Sequence, residues 1–370
     1  FKQKTAYEIM PSLVGSEMCI RDRYCTIPML GKLDSLCRGT RGIDDRWWRN
    51  SHAVMARGCT TWKATGRRAF DLTHLDTHKG RRYVVARERI ILITEWEGVV
   101  YACTDDMHIY AAALAPSLLW INVHAAGIAF DGCSRSISIP AGGGVLSSTS
   151  VGVVYTSLGR LTAHHSVLVD TVVSVRSMCA RHNGTLRIAG ITYGQSIFTV
   201  SASSPGTTDE TTLTVIRTAP PASTSICCCE SAETIAVGCL HRYVTVMSWD
   251  LDVLRRIYID NLPRSIVWHQ GSIVAVGDKL TSVDPTHAKV TGEYAVPNMR
   301  PYDVPHASCG AALTFMPYWY QVTVRPGHGA VRVHRRTIQD TPFSTAMLIT
   351  KDMGCCFIGD CMGEVSVFTM

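Results

Sequence analysis

The residues able to do chemistry in this 370-residue chain do not converge along the sequence. His164-His165 with Asp170 could be metal ligands, or a base with its orienting carboxylate. Adjacent histidines on a strand would diverge, however, and no further ligand stands near them, so they are expected to be loop residues. Cys239 and His241, beside Cys227-Cys228-Cys229, lack the paired ligand spacing of a zinc site. They are expected to be core and turn residues. Asn183-Gly184-Thr185 is formally a glycosylation sequon. Asn-Gly between two apolar runs is also a hairpin turn, and that is the reading adopted. Ala141-Gly142-Gly143-Gly144 lacks the Lys-Ser/Thr pair of a phosphate loop and is expected to be a blade connection. The Asp and Glu residues are scattered, with no pair spaced for acid–base work. No catalytic, cofactor-binding or metal-binding residue is therefore assigned. The expectation is a non-catalytic protein without a cofactor.

What would position any site is a repeat. Ile235-Ala236-Val237-Gly238 and Val274-Ala275-Val276-Gly277 are two copies of one phrase, with their glycines 39 residues apart. Each is a short apolar run closed by glycine, then a polar turn, then a second apolar run. Cys356-Phe357-Ile358-Gly359 restates it about twice that distance further on. Short strands repeating at about 40 residues predict a β-propeller. Central strands are expected to end near 104, 156, 190, 238, 277, 317 and 359. The fold class is thus all-β: a seven-bladed propeller, within a range of six to eight, over residues 81–370. Its strands read as continuous apolar runs, which suits strands covered on both faces. Asn183-Gly184, Asp278-Lys279, Asp284-Pro285 and Arg325-Pro326-Gly327 mark turns. Ser201 to Glu210 and Pro220 to Ser225 read as longer surface loops. The last repeat reaches Met370 with only three strands, so its outer strand must come from elsewhere. Tyr83 to Ala86 is the expected donor, pairing with Glu364 to Phe368.

Residues 1–23 resemble translated sequencing-library adapter, in two constant parts, Lys2 to Ile9 and Leu13 to Arg23. Residues 24–80 interleave arginines with Trp47, Trp48 and Trp62 and show no sustained period of 2 or 3.6. They are expected to be an extension without a packed fold, or sequence read outside its true frame. Residues 24–90 carry 14 Lys/Arg against 6 Asp/Glu, whereas residues 91–370 carry 18 against 21. The repeats therefore offer no broad positive field, and no nucleic-acid partner is expected. The 15 cysteines are irregularly spaced and often adjacent, which predicts free buried thiols in a reducing compartment. Ala111 to Phe130 is long enough to cross a bilayer but contains Pro116, Asn122 and His124. It is read as two buried strands with a turn near Ala125–Gly127, not as a membrane helix.

Trp249-Asp250 echoes the WD-repeat dipeptide, but no other repeat carries it. A more specific resemblance lies in the order of phrases from Glu233 to Pro297. Ile235 to Cys239 leads to Tyr243 to Trp249; Leu262-Pro263-Arg264-Ser265-Ile266-Val267-Trp268 then leads to Ser272 to Gly277. This resembles the citron-homology propeller of the vacuolar tethering subunits in the HOPS and CORVET complexes. Phe315 to Val322 sits where that family has a similar phrase. The resemblance implies a cytoplasmic scaffold for vesicle tethering, peripheral to endosome or vacuole membranes. Its partners would be other tethering subunits or a small GTPase. The alternatives are a WD-repeat-like adaptor, a propeller of the damaged-DNA-binding or polyadenylation-factor type, and, third, an enzyme on a propeller scaffold.

Overall fold

The computed structural model describes residues 80–369, except 115–117, 124, 127–132, 140–142, 150–151, 160–161, 170–174, 203–210, 229–232, 270, 296–305, 310–311, 316–319, 326–331, 338–343 and 351–353. The expectations for residues 1–79, for Asp170 and for Cys229 fall outside these. Every regular element among the described residues is a β-strand.

The chain enters with β1 (Arg81–Val84) and then builds sheets in sequence. The first comprises β2 (Ile90–Trp96), β3 (Val99–Thr104), β4 (Ile109–Ala113) and β5 (Ile121–Val123). The second has five strands: β6 (Ala125–Ala126), β7 (Cys133–Ile139), β8 (Gly144–Thr149), β9 (Gly152–Gly159) and β10 (Thr162–Val169). The third comprises β11 (Val175–Asn183), β12 (Thr185–Thr192), β13 (Ser196–Ala202) and β14 (Thr211–Thr218). The fourth comprises β15 (Ser223–Cys228), β16 (Thr234–Cys239), β17 (Tyr243–Ser248) and β18 (Val253–Tyr258). The fifth comprises β19 (Ser265–His269), β20 (Ser272–Val276), β21 (Lys279–Asp284) and β22 (Lys289–Ala295). The sixth comprises β23 (His306–Cys309), β24 (Ala312–Phe315), β25 (Tyr320–Arg325) and β26 (Arg332–Thr337). The last joins β27 (Ser344–Ile349), β28 (Cys355–Asp360) and β29 (Glu364–Thr369) to β1.

Apart from β1 and β6, which join the outer edges of the last and second sheets, consecutive strands within each sheet are antiparallel neighbours, so each sheet is built on an up-and-down meander. The Trp96–Val99 turn shows how the sequence achieves this. Glu97 and Gly98 both have positive φ, 48° and 76°, the twist-matched geometry of a two-residue hairpin. Nothing lies within 4 Å of a Cβ built on Gly98. Gly98→Ala should therefore cost only the left-handed backbone penalty, about 1–2 kcal/mol, read as a shifted denaturant midpoint.

From the last sheet through the first to the fifth, neighbouring sheets pack face to face, and five clusters of apolar side chains fill these seams. Val100 and Ala102 meet Phe357 and Val365 of the last sheet. Their strand neighbours Tyr101 and Cys103 point the other way, to Val145 and Leu158 of the second. Leu146 and Tyr155 then meet Leu186 and Phe198, Ile191 and Ile197 meet Ile235 and Val237, and Ala236 and Val244 meet Ile273 and Ala275. The second strands are covered on both faces; all six residues of β3 are buried. This is why they read as continuous apolar runs rather than alternations.

The inner strands carry the sheets around. β27 lies beside β2, β2 beside β7, β7 beside β11, β11 beside β15, and β15 beside β19; β23 lies beside β27. Closure uses the first strand. β1 pairs antiparallel with β29, Tyr83 opposite Val365 and Arg81 opposite Val367, as expected for the outer strand of the last sheet.

Several expectations are corrected. The strand ending near 156 is the third of its sheet, since β8, ending at Thr149, occupies the second position. The mixed Ser-Thr composition of β8 hid it. Gly143 lies in the turn between β7 and β8 and Gly144 opens β8, within a sheet rather than between sheets. A small residue is needed there because the Trp96 ring packs on Gly143, 2.7 Å from an added Cβ. In the apolar stretch from Ala111 to Phe130, β4 ends at Ala113 and is followed by β5, an outer strand with Ile121 39% exposed, and by β6 at Ala125–Ala126, where the turn was expected; residues 127–130 lie outside the described residues. The stretch is not a pair of buried strands, and no helix among the described residues is long and apolar enough to cross a membrane. The loops expected at 201–210 and 220–225 are in part strand, since β13 runs to Ala202 and β15 begins at Ser223.

Candidate functional site

One end of the sheets is built by a recurring device. The turns between second and third strands at 193–195, 240–242 and 361–363 each have three residues. The third has positive φ: Gln195 58°, Arg242 63° and Gly363 80°. That residue's carbonyl accepts a hydrogen bond from the chain leaving the outer strand of the same sheet. Ala219 N donates to Gln195 O at 2.8 Å and Ile259 N to Arg242 O at 2.8 Å. Val85 N and Ala86 N both donate to Gly363 O, at 3.0 and 3.1 Å. With the third residue pinned, the earlier turn residues project into solvent. Tyr193 is 63% exposed, Leu240 38% and Met362 66%. Large apolar side chains are thus presented at one end by three separate sheets.

Polar groups frame the same end. Asp260 takes Arg242 and Lys279, each at 3.1 Å, and Lys279 also meets Glu293 at 2.7 Å. The hydrogen bond to Glu293 is the main reason the Lys279 ammonium is held above its usual range. Beneath this, Asn261 donates to the backbone oxygen of Lys279 at 2.6 Å and to Thr281 Oγ1 at 3.2 Å. A side chain at Gly277 would strike Leu262 O and Asn261, which explains the glycine that closes this phrase.

In the first sheet the corresponding turn is polar. Glu88, Asp106 and His108 bring one possible ligand atom each within 4.8 Å of one another. Such a trio could hold a divalent cation. Its atoms already have work in the turn, however. Asp106 accepts from the Thr104 hydroxyl and the His108 amide, and its other oxygen meets His108 Nδ1 at 2.7 Å. The same Asp–His pairing recurs at Asp284 and His287, also at 2.7 Å, where it caps the turn before β22. The trio is therefore read as turn structure. Burial, then the Glu88 and Asp106 carboxylates, push the nearby Tyr110 hydroxyl up. No spacing along the chain announces this trio, because Glu88, between β1 and β2, meets Asp106 and His108, between β3 and β4, only in the fold.

The residues singled out in the sequence stay apart. His164 and His165 lie on β10 opposite Ser157 and Thr156, in a strand and not the expected loop. Cys239 is fully buried, and burial raises its thiol above the usual range. Its sulfur lies 3.9 Å from Ser223 Oγ and from Thr245 Oγ1. His241 instead stacks on Tyr243, ring centres 6.4 Å apart. Cys227 and Cys228 face opposite seams, one among Ile257 and Ile266, the other beside Ile226 and Cys179. Cys103, Cys179, Cys227, Cys228, Cys239, Cys355, Cys356 and Cys361 are free thiols. Asn183-Gly184-Thr185 is the β11–β12 turn, with Asn183 opposite Thr185 and Gly184 at φ 74°. Trp249 is buried at the end of β17, and Asp250 is exposed beside it.

No protein-family model matches the chain, and no curated protein matches it. Among solved structures, a chain from a crystal structure of a mitotic checkpoint complex aligns with TM-score 0.56 and 8% identity. The alignment covers 78% of this chain and 93% of that one. The fold is a WD-repeat-like β-propeller. At this identity the likeness is one of fold, and 1513 chains share it, so it selects no partner. The resemblance to tethering subunits finds no support in these comparisons. In the propeller, its most specific phrase is accounted for by packing. Pro263 O accepts the Thr224 hydroxyl at 2.6 Å, Arg264 N donates to Val276 O at 2.8 Å, and Ile266 fills the seam between fourth and fifth sheets.

Proposed function

We propose that this propeller is a protein-interaction scaffold of the WD-repeat adaptor kind, with the end bearing Tyr193, Leu240 and Met362 as its contact face. The observation that carries the reading is the pinned turn geometry: it holds three large apolar side chains in water while the same chain buries comparable side chains in every described seam. Aromatic and apolar residues fixed on rigid turns meet a partner at little entropic cost. The seven sheets are taken as seven blades of one ring over residues 81–370, closed by β1.

The finer reading is a tethering subunit in the cytoplasm, bound to other tethering subunits or a small GTPase at endosome or vacuole membranes. It rests on the phrase order from Ile235 to Gly277 alone. The test is quantitative affinity capture with the wild-type chain and the triple variant Tyr193→Ser, Leu240→Ser, Met362→Ser. These side chains are exposed, so thermal unfolding should be unchanged. Recovery of the bound proteins should fall by about tenfold or more. Equal recovery by both chains would refute the contact face. Tethering subunits or a small GTPase among the lost proteins would support the finer reading, and their absence would count against it.

A further inference from the structure

The fourth sheet has an unusual outer edge. β18, sequence Val253-Leu254-Arg255-Arg256-Ile257-Tyr258, pairs inward with β17 and is the last strand of its sheet. Ile259 N donates to Arg242 O, so the amide of residue 259 points inward. Backbone direction alternates along a strand, and the N–H and C=O of Tyr258 and Arg256 therefore face away from the sheet. Beside them Val253 is 48% exposed, Leu254 52% and Tyr258 66%. Bare edges are normally blunted by charge or cover; this one carries three of the large apolar side chains that the described surface exposes.

The charge at the edge is unbalanced. Arg256 lies over the Tyr243 ring at 5.9 Å, and Arg255 donates to the backbone oxygens of Pro285 and Thr286. Among the described residues neither meets a carboxylate. The nearby acids are already engaged, Asp252 by Arg217 at 2.8 Å and Asp260 by Arg242 and Lys279. Arg256 and Tyr258 lie two residues apart and so share one face of β18; what would complement that face is an extended strand whose every second side chain is in turn aliphatic and carboxylate. The propeller itself shows that an outer edge can take another strand: in the second sheet β6 lies against β10, parallel, Ala125 opposite Ala163 and Ala126 opposite His164.

We propose that β18 is a docking edge for an extended acidic peptide segment of a partner protein, which adds as a fifth strand to the fourth sheet. The backbone groups of Arg256 and Tyr258 pair with it, its carboxylates meet Arg256, and its aliphatic residues cover Leu254 and Tyr258. This deepens the scaffold reading by naming the chemistry of one partner, on a surface separate from the turn tips.

The experiment uses the full chain and three fluorescein-labelled heptapeptides: Val-Thr-Glu-Thr-Val-Thr-Glu, in which one face carries Val and Glu in turn, the same with Lys for Glu, and the Glu peptide N-methylated at alternate amides. The Glu peptide should bind, measured by anisotropy. The Lys and N-methylated peptides should bind at least about tenfold more weakly. Arg256→Glu, at an exposed position, should weaken the Glu peptide about tenfold and strengthen the Lys peptide, with thermal unfolding unchanged. Tyr193→Ser, Leu240→Ser, Met362→Ser should leave peptide binding intact, so that failure of the turn-tip face and failure of this edge are separate results. Absence of Glu-peptide binding to the folded chain up to about 1 mM would overturn the proposal. So would equal binding of the N-methylated peptide, which would mean a charge patch without strand pairing. Glu-peptide binding that emerges only after removal of residues 1–79 would overturn it as well, by showing that the chain occupies its own edge.

Discussion

Deleting residues 80–86 should abolish cooperative folding of the propeller. The segment supplies β1, which pairs with β29 over Arg81–Val84, and the Val85 and Ala86 amides that bind Gly363 O. Val85, Ala86, Val365 and Val367 are all buried in the seam between last and first sheets. Removing Val85 and exposing Val365 and Val367 forfeits the burial of three valines at about 1.5–3 kcal/mol each, a loss on the order of 5 kcal/mol, comparable with the whole stability of many domains. The deletion also bares the edge of β29, which invites association. Circular dichroism melts should lose their sharp transition. Gly363→Ala attacks the same closure by one atom: φ is 80°, and an added Cβ would lie against the backbone of Ala86, with its carbonyl carbon at 2.7 Å, and against Glu88 O at 2.8 Å. It should lower the melting temperature without removing any existing contact. A deletion chain that melts like the wild type would show that β1 does not hold the last sheet to the first.

The second large effect is a dependence of stability on pH that one residue controls. His269 ends β19 at 7% exposure, and burial depresses its imidazole from 6.5 to about 4. In the fold it is neutral; in the unfolded chain it takes up a proton below about pH 6.5. The unfolded state therefore binds more protons between pH 6.5 and 4, and stability falls as the solution is acidified through that window. At about 1.4 kcal/mol per pH unit the loss reaches roughly 2 kcal/mol at pH 5 and about 3 kcal/mol at pH 4. Denaturant unfolding at pH 7 and pH 5 should show it. His269→Gln, which keeps a polar side chain but cannot titrate, should remove most of the difference. Identical pH slopes for the two chains would place the acid sensitivity elsewhere.

The legible parts of the fold were those whose side chains see the same surroundings on both faces. Ile235 to Gly238 and Val274 to Gly277 read as buried strands because a neighbouring sheet covers each face, so burial is continuous. The less legible strands were those whose composition tertiary packing overrides. β8, Gly-Val-Leu-Ser-Ser-Thr, is buried throughout. Its hydroxyls lie inside, with Thr149 Oγ1 bonded to Gly152 O at 3.2 Å. Nothing in a Ser-Thr run announces that.

By itself the sequence determined the class of the molecule: the glycine-closed apolar phrases, recurring at about 40 residues, specify short antiparallel strands joined by tight turns. Those are local facts, set by side-chain period and by the backbone freedom of glycine. Only the tertiary structure decided which surfaces are open to partners. Tyr193, Leu240 and Met362 come from turns 47 and 122 residues apart in sequence and share one end only because their sheets are set side by side. Leu254 and Tyr258 are large apolar residues, yet they stand in water because β18 is the last strand of its sheet, with nothing paired beyond it among the described residues.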